Sequence, residues 1–175
     1  MAAPPEAIRR RLEASQRALL AALEGITEEQ FKRRPPATEA DPAPWSIAEV
    51  LAHLLSNERL WVDRISLALR SDGASITPSP EAAHEEGARV GRQVPVPQLI
   101  HGLLGVRREL LKLLDAATAA GGGFLPKGLW HPRLGEHLDL AAMFGKVAGH
   151  HEEHLAQVED LRRAVGAHTA GRSAP

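Results

Sequence analysis

Residues 138–165 read LDLAAMFGKVAGHHEEHLAQVEDLRRAV, and this stretch decides the fold. Leu140, Phe144, Val147, Leu155, Val158, Leu161 and Val165 recur at the three-and-four spacing of a helix with one apolar face. Charged and small residues fill the other positions. The spacing predicts a helix over about Leu138 to Val165, followed by a small, polar, frayed tail over Gly166–Pro175.

Three stretches upstream carry the same period. Over residues 6–24, Ile8, Leu12, Leu19 and Leu23 mark one face, with Pro4 and Pro5 at the start, where proline is tolerated, and Gly25 at the end. Ser46, with Glu49 three residues later, forms a capping-box pattern that opens a second helix. Ile47, Leu51, Leu54, Trp61 and Ile65 line it to about Arg70, where Ser71-Asp72-Gly73 stops it. A third helix follows Pro97 on Leu99, Leu103, Leu104, Leu110, Leu111 and Leu114. Thr27-Glu28-Glu29-Gln30 is a second capping box and predicts a short turn of helix. The proline-rich run PPATEADPAP at 35–44 can only be loop.

Two longer connections remain. Residues 71–97 are rich in Ser, Gly and Pro. They read as a mobile crossover, with EAAHEEGARV a short helix and a candidate lid. Residues 121–137 read as a glycine-rich flexible connector. Gly121-Gly122-Gly123 has no strand before it and no GK[ST] after it, so it is not a phosphate loop. No strand is expected anywhere. The prediction is an all-α, four-helix bundle of one domain over 1–175, with its core at about 6–165 and long crossover loops.

Composition bounds the function. The 175 residues are 43% hydrophobic and 25% charged, a globular balance. A net charge of −1 creates no field to draw the chain to nucleic acid or anionic lipid. No apolar run approaches the ~20 residues of a membrane span, and no signal peptide is visible, so the expected location is cytoplasmic. Without cysteine there is no disulfide, thiolate site or cysteine nucleophile. A transition-metal site must therefore draw on His, Asp or Glu, and the chain holds nine histidines.

Three of them cluster in Gly149-His150-His151-Glu152-Glu153-His154-Leu155-Ala156-Gln157. His150 and His154, four apart, project from adjacent turns of one face and can share a metal. His151 and His154, three apart, can do the same. At about 100° per residue, His151 sits nearest the middle of the apolar face, which favours His151 with His154, or makes His151 a satisfied core histidine. The metalloprotease motif is excluded, because it needs Glu directly after the first histidine of an i, i+4 pair. A third ligand must come from another helix, where His53 flanks the apolar face of the second.

These segments together resemble the DinB/YfiT-like superfamily. Trp45-Ser46-Ile47-Ala48-Glu49-Val50-Leu51-Ala52-His53-Leu54 is similar to its second-helix motif, and His150-x-x-x-His154-Leu155-Ala156-Gln157 to its last-helix motif. His131-Pro132-Arg133-Leu134-Gly135-Glu136 looks like the loop before that helix, and Ile26-Thr27-Glu28-Glu29-Gln30 like its first connection. The resemblance implies a four-helix bundle, often a homodimer, holding one divalent ion, nickel or zinc above all, on His53, His150 and His154. The run after the last ligand selects His150 over His151.

The resemblance further implies a small-molecule substrate and a metal-dependent low-molecular-weight-thiol S-transferase of the bacillithiol, mycothiol or glutathione type. The sulfur then arrives with the cosubstrate. A metal-dependent hydrolase and a non-enzymatic, stress-related metal-binding protein are the alternatives. Gln157, one turn beyond His154, is a candidate to orient a ligand or substrate. Glu49 is a candidate to hold an imidazole N–H or to cap its helix, and His151 a candidate base or packing residue. His131 stands as a loop histidine, and Trp45 and Trp61 as core or interface residues.

Overall fold

The computed structural model describes residues 4–76, 88–119 and 127–166. The short helix expected within 81–90, Gly121-Gly122-Gly123, the tail beyond Gly166, and His84 and His168 lie wholly or largely outside them.

The helices form where the apolar period and the caps agree. They are α1 (Pro5–Leu23), the short α2 (Glu28–Lys32), α3 (Ile47–Arg70), α4 (Val96–Ala119) and α5 (Leu140–Ala164). Both predicted capping boxes are made: Thr27 with Gln30, and Ser46 with Glu49.

Two buried clusters fix the packing. One joins Ile8 and Leu12 of α1, Trp61 and Ile65 of α3, Leu110 and Leu114 of α4, and Leu140, Phe144 and Val147 of α5. The other joins Leu19 and Leu23, Ile47, Leu51 and Leu54, Leu99 and Leu103, and Val158 and Leu161. The early residues of α1 and α5 thus meet the late residues of α3 and α4. So α1 and α5 run one way, and α3 and α4 the other. Around the bundle the order is α1, α5, α3, α4. Because α4 runs parallel to α3, Arg70 and Val96 lie at opposite ends of the bundle, which explains the length of chain between them. Leu12, Leu51 and Leu110 are 0% exposed, and burying each such side chain contributes roughly 1.5–3 kcal/mol. Among the described residues no helix is long and apolar enough to cross a membrane.

One expectation is corrected. The segment read as a flexible connector without strands holds an antiparallel hairpin, β1 (Gly128–His131) and β2 (Glu136–Asp139), with Gly128 opposite Asp139 and His131 opposite Glu136. Four residues per strand are too few for an alternation to show in sequence. What stabilises the hairpin is tertiary. Ile76 and Trp130 donate to the carbonyls of Trp130 and Ala74, adding the start of the connection after α3 to the β1 edge. A Cβ on Gly128 would lie 2.2 Å from the Leu138 carbonyl oxygen, so only glycine fits there. Leu138 is therefore strand, and α5 begins at Leu140 with the Asp139 carboxylate accepting from the Ala142 N–H at 2.7 Å.

Candidate metal centre

The site is built at the start of α3. Ser46 is fully buried, and its hydroxyl oxygen accepts from the Glu49 N–H at 3.3 Å. The Glu49 carboxylate accepts from the Ser46 N–H at 2.9 Å and its O–H at 2.8 Å. Arg34 donates to the same carboxylate through Nε at 2.9 Å and also through Nη2, and Arg92 Nε lies 3.2 Å away. Burial pushes the Glu49 carboxyl pKa up, but Arg34 and Ser46 outweigh it and hold it below the usual range. Of the two roles considered for Glu49, it performs the capping one, and it gathers two arginines as well. Gly91 lets the 88–94 segment lie against α3, since a Cβ there would meet the Ala48 carbonyl oxygen at 2.3 Å.

One turn after Glu49, His53 projects toward α5 and meets His150 and His154. His53 Nε2 and His150 Nε2 are 3.1 Å apart, and His154 Nε2 and His150 Nε2 are also 3.1 Å apart. The rings are splayed: centroids lie 4.5–5.0 Å apart, and the His150 and His154 planes cross at 85°. Three nitrogens from two helices therefore converge on one point. His53 is buried, and the other two are partly so.

This arrangement fits a divalent ion. A neutral Nε2 carries either one proton or one lone pair, so His150 cannot hydrogen-bond well to both neighbours at once. Nitrogens bound at about 2.0–2.1 Å around a tetrahedral centre lie roughly 3.3 Å apart, close to the spacing found. His154 is also set in the tautomer a ligand needs. Its Nδ1 lies 2.7 Å from Gln157 Oε1, an acceptor that places the proton on Nδ1 and leaves the Nε2 lone pair facing the cluster. Burial lowers the His154 pKa, with Gln157 opposing, so the ring favours its neutral form.

The remaining predicted residues lie around this centre. The Trp45 ring packs on His53 with centroids 5.1 Å apart, a role that its assignment to core or interface did not include. Glu152 is held on the surface by Arg11 through two bonds of 2.7 and 2.6 Å, and Glu153 is exposed. His131 opens the hairpin turn, and its Nδ1 accepts from the Leu134 N–H at 3.3 Å. His151 does not join the triad. It is 2% exposed, and its Nε2 lies 2.8 Å from Glu58 Oε1. The ring N–H is not aligned for a good hydrogen bond, so the contact is mainly electrostatic.

Sequence reasoning missed Glu58 and Arg107. Both are 1% exposed and joined as an ion pair, and Arg107 also donates to the Leu12 carbonyl and to Ser15 Oγ. With His151, this knot ties together all four long helices beside the triad. Each charge sits on an apolar stripe, Glu58 between Leu54 and Trp61 and Arg107 between Leu103 and Leu110, and that interruption was readable in the sequence.

A long-helix bundle with three imidazoles converging between two helices defines a helical bundle with a candidate metal centre. The family comparison is more specific: residues 11–158 match the DinB superfamily, and the chain belongs to it. Among solved structures, the chain is similar to YfiT from Bacillus subtilis, described as a probable metal-dependent hydrolase with an unusual four-helix bundle topology. The TM-score is 0.75 and the identity 22%, covering 93% of this chain and 87% of that one. It is also similar to an uncharacterised protein from Escherichia coli UTI89, with TM-score 0.69 and 12% identity, covering 91% and 93%. At these identities the likeness concerns the fold. No curated protein matches.

Proposed function

We propose that the protein is a metal-dependent transferase that uses a low-molecular-weight thiol, with His53, His150 and His154 holding one nickel or zinc ion. The observation that supports this reading is the donor set. Three imidazoles converge, and among the described residues no carboxylate joins them. A bound ion would supply Lewis acidity, lowering the pKa of a thiol or water that reaches it. The protein's own residues bind and orient. Gln157 fixes the His154 tautomer, and Trp45 limits the space over His53. Three nearby carboxylates are engaged elsewhere: Glu49 by Arg34, Arg92 and Ser46, Glu58 by Arg107, and Glu152 by Arg11, while Glu153 is exposed and acts on His154 only through its charge. A nucleophile that arrives with the cosubstrate needs none of these three as a base. The same reading takes the protein as a homodimer acting on a small molecule.

The likeness to YfiT supports a second reading, metal-dependent hydrolysis. The two are separated by one experiment. Untagged protein is analysed for bound metal by mass spectrometry, beside a His150→Ala, His154→Ala double variant. It is then assayed with bacillithiol, mycothiol and glutathione against a common electrophile, and with ester and amide substrates alone. About one nickel or zinc per chain, absent from the variant, with turnover only when thiol is present, is the expected result. Turnover of esters without thiol assigns the hydrolase instead. No metal in the parent, and none taken up on titration, overturns both.

A further inference from the structure

Arg64 is a partly buried cation with no carboxylate partner among the described residues. Its Nε is buried without a hydrogen-bond partner. The guanidinium lies 4.9 Å from the centroid of the Trp61 ring, which holds it in place without neutralising it. Burial lowers its pKa, and no nearby acid raises it. A buried N–H donor left without an acceptor is costly, and the Nη groups of the same guanidinium, which are not buried with it, remain free to meet an anion.

Two further groups stand beside it. His131 begins the hairpin turn, β1 packs on α3 and β2 on α5. Burial first, then the charges of Arg64 and Lys146, lower the His131 pKa, against a hydrogen bond of the ring to its own backbone and the charge of Glu136. Both cations are therefore within electrostatic reach of the ring. Because His131 Nδ1 accepts the Leu134 N–H, the proton of the neutral ring sits on Nε2, which becomes a donor. Lys146 is exposed and precedes His150 by one turn on α5. On α3, positions 53, 57, 60 and 64 share one flank, as do 154, 150 and 146 on α5. The three groups thus sit on the same α3–α5 seam as the histidine triad, toward the hairpin end.

We propose that Arg64, Lys146 and His131 form a binding site for an anionic group, the carboxylate or phosphoryl group of a small molecule. The planar guanidinium offers a paired set of donors, the ammonium a second charge, and the imidazole a neutral donor. The site does not depend on the metal reading, because none of its three residues belongs to the triad.

The test uses the full chain. Inorganic phosphate, and separately acetate, is titrated at constant ionic strength while the arginine Nε–Hε resonances are followed by NMR, that of Arg64 being assigned by its loss in Arg64→Gln. A saturable shift of Arg64 with either anion is expected. Lys146→Gln should weaken it by roughly tenfold or more, the order of one charge-assisted bond. Arg108→Gln, on exposed α4 surface, should leave it unchanged. The shift should persist in the His150→Ala, His154→Ala variant, which separates this site from anion binding at a metal. If Arg64→Gln fails to fold by circular dichroism, Lys146→Gln and Lys146→Glu carry the test, since that side chain is exposed. A shift that never saturates for either anion, that is equal in the Lys146 variants, or that vanishes with the triad, overturns the proposal.

Discussion

Replacing Glu58 with Gln removes the partner of Arg107 at a position where water cannot compensate. Glu58 and Arg107 are each 1% exposed, and Arg107 also serves Leu12 and Ser15 across the bundle. Breaking such a buried pair costs about 3–5 kcal/mol, because one charge remains uncompensated. That is a large part of the ~5–15 kcal/mol that separates a folded domain from its unfolded chain. At about 2–4 °C per kcal/mol for a domain of this size, Tm should fall by roughly 6–20 °C. The double variant Glu58→Met, Arg107→Met removes both charges and should recover more than about half of the loss. Leu12, in the interior of α1, keeps its helical hydrogen bond in either variant. Urea unfolding followed by circular dichroism, in the presence of chelator so that metal binding does not add to stability, measures each variant. The reasoning fails if Glu58→Gln lies within about 0.5 kcal/mol of the parent, the usual range for a surface change. It also fails if the double variant is as unstable as the sum of the two single ones.

The pH dependence follows from the same pair. Burial pushes the Glu58 carboxyl up, but His151 and Arg107 hold it below its ordinary range. Its contribution is therefore complete above the unfolded pKa of about 4.3 and is lost as pH falls through the lower folded value, so the gap between parent and Glu58→Gln should close in acid melts below that pH. Gln157→Leu frees the His154 tautomer and should weaken zinc or nickel binding by about 10–100-fold in a competition titration, with the circular dichroism spectrum unchanged. Ser46→Ala removes the cap of α3 and one donor to Glu49, and should cost about 1–2 kcal/mol in the same urea assay.

The sequence by itself determined the helices, because periodicity and caps act locally. Ser46 with Glu49, Thr27 with Gln30, and the apolar stripes of four long segments specify those elements without reference to one another. It also supplied the histidine pair on the last helix, since a spacing of four fixes a shared face. The lengths of residues 71–97 and 121–137 left room for other than up-down-up-down wiring, but only the packing shows that the first joins parallel helices and the second antiparallel ones. The tertiary structure decided which imidazole meets His53. His150 and His151 differ by one position, and the wheel, which orders residues about a single face, pointed to His151. That reading described its burial correctly: His151 turns to the Glu58–Arg107 knot, while His150, on the flank, faces α3. A bundle helix has two neighbours, and only their placement tells one flank from the other. The hairpin at Gly128–Asp139 was hidden for a related reason. Its strands are too short to show a period and are stabilised by residues 74–76 at the start of the connection after α3, far away in sequence. The unpartnered Nε of Arg64 was hidden too, because whether a donor finds an acceptor depends on every element that packs against it.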